Sequence, residues 1–198
     1  MRTHVRLLTR VASALFIAIF ALMHWLRPEV SPVKGDISRY QTDLYGGLMN
    51  VGFVMLGLAF VGASLEVRTL RRPGAPLVFG AGMASLIVAA SPVGLDTADA
   101  VQRIHRTAAF ALVAAAIGGA AAATGAFQSG RAGRFFGPVA LSVARLAAVS
   151  GSLLLLGIAA PAPLGGVLGL LHRMTLTALA VWTIAVARSA AARPSSGA

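Results

Sequence analysis

The chain has 198 residues, of which 57% are hydrophobic and only 12% charged, and its formal net charge is +11. Soluble domains carry about twice that share of charged residues, so the composition excludes most soluble globular folds and disordered proteins. Cysteine is absent, which excludes disulfides, thiolate zinc sites, iron–sulfur clusters and covalent c-type haem. The chain is therefore predicted to be a polytopic membrane protein.

Six apolar segments follow one another, each near the ~20 residues that a membrane-spanning helix needs. They predict helices at about 8–26, 46–66, 74–95, 103–126, 137–160 and 166–188. The first segment is the shortest, and Arg10 and Arg27 at its ends can extend outward to the membrane surface. We interpret it as a helix rather than a cleaved signal peptide, because Met23-His24-Trp25 stands where small residues would mark a cleavage site.

The basic residues lie between the apolar segments rather than on one soluble face, so nucleic acid is not an expected partner. With the N-terminus in the cytoplasm, ten basic residues and one acidic residue fall on the inner side. Six basic and the other five acidic residues fall on the outer side. This asymmetry follows the positive-inside rule. It predicts a multi-pass protein of the bacterial inner (cytoplasmic) membrane with both termini cytoplasmic.

The expected fold class is all-α: an integral membrane six-helix bundle that forms a single domain over residues 1–190. Residues 191–198 are expected to form a flexible cytoplasmic tail. The longest and most polar connection, residues 27–45, joins the first two helices on the outer side. Small residues four apart, such as Ala59 and Ala63, would let neighbouring helices approach closely.

Three of the four histidines fall at the outer end of the predicted helices. His24 lies at the end of the first helix, His105 at the start of the fourth, and His172 early in the sixth. The sequences Ile104-His105-Arg106 and Leu171-His172-Arg173 place a His-Arg pair at similar depth on two helices that run the same way. Polar side chains in a membrane are costly, so such a cluster is informative.

Three interpretations of this cluster stay open. The residues could anchor the helix ends in the headgroup layer, with Asp96 and Asp99 suiting the positive end of the fourth helix. Imidazoles and a carboxylate could bind zinc and activate water, although the chain contains no His-Glu-x-x-His motif. Two histidines could bind a b-type haem, although His24 and His105 lie at the membrane rim. We assign no cofactor on this basis.

Arg145 is the one charged residue expected deep in the membrane, about 12 Å along the fifth helix from Gly137. It could extend toward the inner surface, or face the bundle and pair with a carbonyl group or a lipid phosphate. A classical ion-coupled transporter is not expected, because such proteins carry several polar residues along a path through the bundle.

Short motifs along the chain are similar to those of a known family. His24-Trp25-Leu26-Arg27-Pro28 leads into Ile37-Ser38-Arg39-Tyr40, and Tyr45-Gly46-Gly47-Leu48-Met49 begins the second helix. Later, Ser91-Pro92 precedes Asp96 and Ile104-His105 precedes an alanine-rich run. This pattern resembles the prokaryotic membrane family catalogued as domain of unknown function 998.

The resemblance implies six transmembrane helices and brings no established reaction. It also implies a set of recurring polar positions, which are His24, Asp36, Ser38, Tyr40, Asp96 and His105 in this sequence. Two differences concern the turn before the fourth helix. Ser91 replaces an aromatic residue of the family, and two extra residues separate Pro92 from Asp96.

Our first hypothesis is a pocket that opens to the outer face and binds a lipid headgroup or another amphipathic ligand, in an accessory or transport role. Helices 1, 3 and 4 and the first outer loop would line it, and arginines would contact phosphate. The expected partners are membrane lipids and a membrane protein. The candidate ligand-binding residues are His24, Arg27, Asp36, Ser38, Tyr40, Asp96, His105, Arg106, His172 and Arg173.

Two alternatives belong to other functional classes. The first is a metal-dependent membrane hydrolase or transferase, in which His24, His105 and His172 with Asp96 would hold a metal-bound water. The second, less favoured, is a b-type haem electron-transfer subunit. The sequence does not decide whether the protein is an enzyme.

Overall fold

Six α-helices form a bundle in the computed structural model, which describes residues 2–42, 44–70, 73–93, 97–125, 133–160 and 164–191. The predicted all-α fold class is confirmed. A short 3-10 helix, Ile37–Gln41, lies between the first two α-helices. The α-helices are α1 (Arg2–Leu26), α2 (Gly46–Thr69), α3 (Ala75–Ala90), α4 (Asp99–Gly125), α5 (Gly133–Ala159) and α6 (Leu168–Ala191).

Five of these helices are long and apolar enough to cross a membrane, so the chain is a multi-pass membrane protein. The exception is α3, whose 16 residues extend about 24 Å, less than the ~30 Å of a hydrocarbon core. It ends at Ala90, five residues before its predicted end, and Pro92 follows closely. Proline disfavours a helical conformation for the residue before it. Six crossings, and cytoplasmic placement of both termini, stay predictions.

The helices form a closed ring. Each packs against its neighbours in sequence, and α1 packs against α6. Glycine permits the closest crossing: a Cβ on Gly57 would lie 3.0 Å from the Gly82 carbonyl oxygen, and one on Gly82 would lie 2.9 Å from the Gly57 carbonyl oxygen. The backbones of α2 and α3 are therefore in direct contact, as expected where lipid provides no hydrophobic drive for association.

Buried polar side chains connect α6 to three other helices. The hydroxyl groups of Ser13 in α1 and Thr183 in α6 lie 2.6 Å apart. Thr175 of α6 donates to Ser150 of α5 at 2.9 Å, and Trp182 Nε1 donates to Thr124 of α4 at 2.8 Å. Hydrogen bonds of this kind hold transmembrane helices in register, so α6 is the element against which the others are positioned.

One end of the bundle, which we call the loop end, is where α1, α3 and α5 end and α2, α4 and α6 begin. The connection after α1 crosses this end, and its 3-10 helix is anchored by Ile37 and Tyr40, both 0% exposed. The backbone N–H of Leu170, in the first turn of α6, donates to the Val33 carbonyl at 3.0 Å. The connection thereby supplies a partner that a helix N-terminus otherwise lacks.

Most of the predicted tail at 191–198 and the predicted site residue Asp96 fall outside the part of the chain that the structure describes. Ala191 is the last residue of α6, and residues 192–198 lie outside the described residues. Asp96 also lies outside them.

Candidate functional site

Arg173 is the centre of a buried hydrogen-bond network at the loop end, and its side chain is 7% exposed. Its Nε donates to His24 Nε2 at 2.8 Å and its Nη2 to the Tyr40 hydroxyl at 3.0 Å. Its Nη1 donates to the carbonyl oxygens of Gly35 at 2.7 Å and Gly169 at 2.9 Å. Four of the five guanidinium N–H groups thus have partners within the protein, as a buried charge requires.

The hydrogen bonds of His24 assign its tautomer. Nδ1 lies 2.8 Å from the Phe20 carbonyl oxygen, which can only accept, so Nδ1 carries the proton. Nε2 then has a free lone pair and accepts from Arg173. The imidazole also lies edge-on to the Phe20 ring, with centroids 4.8 Å apart. His24 therefore joins α1 to α6 with both ring nitrogens engaged.

Arg27 fastens the start of the connection to its end. Its guanidinium pairs with Glu29 and donates to the Thr42 carbonyl at 2.7 Å. The pKa of the exposed Glu29 carboxyl is lowered, chiefly by the hydrogen bond from Arg27. Arg27, like Arg173, therefore contributes to the architecture of the loop end.

Ser38 and His105 form a second, separate hydrogen-bonded pair. Ser38 Oγ lies 2.9 Å from His105 Nε2, and His105 Nδ1 lies 2.8 Å from the carbonyl oxygen of Ser91. His105 lies in the second turn of α4 and is 2% exposed. Three elements meet here: the 3-10 helix, the residue after α3, and the start of α4.

A cavity of about 320 Å³ adjoins this pair. Its polar lining comes from the loop end: Asp36, Ser38, His105, Arg106 and His172. Its apolar lining comes from α4, α5 and the start of α6, and includes Ala109, Phe110, Val113, Leu154, Leu155, Ile158 and Leu168. Val113 lies eight residues beyond His105, about 12 Å deeper along α4. The cavity therefore has a polar mouth at the loop end and an apolar wall, in which Val113 and Leu154 are buried while Phe110 and Ile158 are also exposed at the surface of the bundle.

The sequence-predicted site residues fall into groups with different surroundings. His24, Tyr40 and Arg173 share the buried network, and Arg27 ties the connection together. Asp36, Ser38, His105, Arg106 and His172 line the cavity. Helices α4, α5 and α6 enclose the cavity with the connection, in place of the expected helices 1, 3 and 4. A ligand-binding role for any of these residues stays a prediction.

The residues that sequence reasoning missed are of two kinds. The apolar wall, such as Phe110 and Leu154, carries no signal in a chain that is 57% hydrophobic. The orienting group for His105 is a main-chain carbonyl, that of Ser91, which side-chain patterns do not report. The proximity of Ser91 and His105 in sequence, 14 residues apart across the turn from α3 to α4, was the one available indication.

The metal and haem alternatives both require free imidazole nitrogens. Both nitrogens of His24 and both of His105 are engaged in hydrogen bonds with the protein. Among the described residues, which leave out Asp96, no three His, Asp or Glu side chains form a group that could hold a metal ion. This arrangement offers no support for either alternative.

Arg145 lies near the middle of α5 and its side chain is exposed. It therefore points away from the bundle, toward lipid, and does not contribute to the cavity. Of its two interpretations, the structure favours extension along the helix surface toward a headgroup layer.

Comparison with known proteins identifies a family but no individual similar protein. The model of a family described as "Protein of unknown function (DUF998)" matches residues 10–189. This confirms the resemblance inferred from the motifs. No curated protein matches the chain, and no solved structure matches it.

Proposed function

This chain belongs to the DUF998 family, proteins of unknown function, and on that premise we propose that it binds an amphipathic lipid in the cavity between α4, α5 and α6. The polar part of the lipid lies at the loop end, beside Ser38 and Arg106. An acyl chain lies along the apolar wall, past Phe110 and against the buried Val113 and Leu154. The observation that carries this proposal is the combination of a polar mouth and an apolar wall within one cavity.

The size and charge of the cavity narrow the ligand. Its volume of about 320 Å³ lies at the lower end of the ~300–1,000 Å³ typical of ligand sites, enough for one chain rather than a whole diacyl lipid. Arg106 and Asp36 both line the mouth and are exposed. A headgroup with a phosphate for the guanidinium, or a zwitterionic headgroup for both side chains, matches this pair.

The arginines divide between two roles. Four N–H groups of Arg173 already bind protein acceptors, and Arg27 pairs with Glu29 and Thr42. These two side chains therefore hold the connection after α1 in place and do not line the cavity. Arg106 is the arginine that lines the cavity mouth and is our candidate for phosphate contact.

Native mass spectrometry of the full chain, extracted in mild detergent and incubated with lysophosphatidylglycerol or lysophosphatidylethanolamine, tests the proposal. Ala109→Phe places a ring in the cavity, and Ala114→Phe on the exposed face of the same helix is the matched control. We expect wild type and Ala114→Phe to retain one lipid and Ala109→Phe to retain none. Equal retention by Ala109→Phe and Ala114→Phe, with both folded, would contradict the proposal.

The orientation of the protein is a second part of this proposal: the loop end faces the outside of a bacterial inner membrane. The asymmetry of basic residues supports it. Because the chain has no cysteine, Lys34→Cys at the loop end and Thr69→Cys at the opposite end are clean reporters, and both positions are exposed. A membrane-impermeant maleimide should label Lys34→Cys in intact cells and Thr69→Cys only after permeabilisation. The reverse pattern would overturn the orientation.

A further inference from the structure

The Ser38–His105 pair has the geometry of an activated nucleophile. The Ser91 carbonyl oxygen, 2.8 Å from His105 Nδ1, can only accept a hydrogen bond, so Nδ1 carries the proton. The lone pair of Nε2 then faces Ser38 Oγ at 2.9 Å, and the serine hydroxyl donates to it. A hydroxyl bonded to a base that a third group holds in one tautomer is the arrangement found at nucleophilic serines.

The imidazole partner distinguishes this pair from the serine hydrogen bonds within the helices of the bundle. Ser13 and Ser150 lie within hydrogen-bond distance of carbonyl groups one turn earlier in their own helices, the usual way to satisfy a hydroxyl in a membrane helix, and Ser85 donates to the Phe53 carbonyl. Ser38 instead donates to the ring nitrogen of a histidine, 67 residues away. It is also half-buried and borders the cavity, so it lies beside the space where a ligand would bind.

One charged side chain and one imidazole that can donate an N–H, both suited to a developing oxyanion, line the same cavity. Arg106 follows His105 on α4 and lines the cavity, as does His172 at the start of α6. A positive group or N–H donor near the reacting carbonyl stabilises the tetrahedral intermediate of acyl transfer. Nucleophile, base, electrostatic partner and an apolar wall for an acyl chain thus border one cavity.

We propose that the protein is a serine-dependent lipid esterase or acyltransferase, in which Ser38 attacks an acyl ester held in the cavity and His105 is its general base. The inference rests on the proposed function, because the same cavity supplies the substrate. It adds the chemical class of the substrate, which is an acyl ester with one chain along α4 and α5. It also names the bond that is broken, which is the ester bond.

The reaction balances with water as the sole co-reactant. Ser38 Oγ forms a bond to the ester carbonyl carbon while its proton moves to His105 Nε2, and the tetrahedral intermediate expels the alcohol, which takes that proton. Water then attacks the acyl-serine, giving its proton to His105 Nε2, and collapse releases the fatty acid and returns the proton to Ser38 Oγ. A second alcohol in place of water would give acyl transfer.

Covalent labelling tests the inference in the full chain in detergent or nanodiscs. A long-chain alkyl fluorophosphonate should add to wild type once, with the Ser38 oxygen bonding to phosphorus and fluoride leaving, as read by intact mass and peptide mapping. Ser38→Ala should give no adduct, whereas Ser31→Ala, in the same connection, should label as wild type does. His105→Gln should label about 10²- to 10⁴-fold more slowly, the usual contribution of a general base.

Folding and lipid retention are measured on the same samples, so the two proposals fail separately. Thermal stability and lipid retention show whether each variant is folded and has an open cavity. Folded wild type that retains lipid but gains no adduct at Ser38 would overturn the inference and leave lipid binding standing. If wild type retains no lipid and Ala109→Phe labels at Ser38 as fast as wild type, the result would support Ser38 as the nucleophile and contradict the lipid site. Ser38→Ala that labels like wild type would also overturn the inference.

Discussion

Replacing Arg173 by leucine removes the centre of the loop-end network and isolates the groups that it serves. His24 Nε2 and the Gly35 carbonyl oxygen lose the donors that lie at 2.8 and 2.7 Å, and the Tyr40 hydroxyl loses its donor at 3.0 Å. Gly169 lies one turn before Arg173 in α6 and keeps the helical environment of its carbonyl group. Three groups are therefore left short of a partner.

The expected loss follows from these three groups. Each buried group left without a partner costs about 1–3 kcal/mol, so Arg173→Leu should lower the free energy of unfolding by about 3–6 kcal/mol after partial relaxation. For a chain of this length that corresponds to a decrease in Tm on the order of 10 °C. Arg173→Lys should fall between, because one ammonium group cannot reach all the acceptors that the planar guanidinium reaches.

Thermal unfolding in detergent, followed by circular dichroism, measures the effect, and Arg145→Leu is the matched control. Arg145 undergoes the same change of side chain on the exposed surface of α5, and losing a charge from a lipid-facing position should leave Tm unchanged or raise it. If Arg173→Leu and Arg145→Leu had the same Tm, the network would not organise the loop end and our reading of Arg173 would be wrong.

Three further substitutions test the packing of the bundle by the same thermal assay. Gly82→Ala should lower the free energy of unfolding by about 1–3 kcal/mol because its Cβ would meet the Gly57 carbonyl. Gly80→Ala, with no atom within 4 Å of its Cβ, is the control and should be neutral or stabilising. A Gly80→Ala variant destabilised by the same amount would refute the close contact. Trp182→Phe should lower the free energy of unfolding by about 1 kcal/mol through the lost hydrogen bond to Thr124. If the double variant Trp182→Phe/Thr124→Val lost the sum of the two single losses, the two side chains would not interact and the hydrogen bond would be refuted. Arg6→Leu should cost about 3 kcal/mol because Glu66, whose side chain is 3% exposed, would lose its partner, and restored stability is expected in Arg6→Leu/Glu66→Leu.

The helices could be predicted from the sequence because apolar length is a one-dimensional property. Runs without charge have the length that the bilayer requires, and their order alone places helix ends on alternate sides. That reasoning brought His24, His105 and His172 to one end of the bundle without any knowledge of packing. It failed for the end of α3, where the apolar run continues through Ser91-Pro92 after the helix stops at Ala90.

The division of the polar residues into two groups could not be predicted, because it depends on how each helix is rotated about its axis. His172 and Arg173 are adjacent in sequence, yet one lines the cavity and the other forms the buried network. Neighbours on a helix point about 100° apart, and in an alanine-rich helix the apolar pattern does not indicate which direction faces the core. Arg145 shows the same limit: its depth followed from sequence, and its outward direction did not.

Photo-crosslinking with a lysophospholipid that carries a diazirine near the end of its acyl chain tests most directly whether the cavity holds a lipid. Mapping of the adducts by mass spectrometry should place them on the buried Val113 or Leu154, and Ala109→Phe should abolish them. Adducts confined to the outward face of α5, at Leu146, Val149 and Leu153, would show that lipid surrounds the protein without entering the cavity. That result would contradict lipid binding in the cavity.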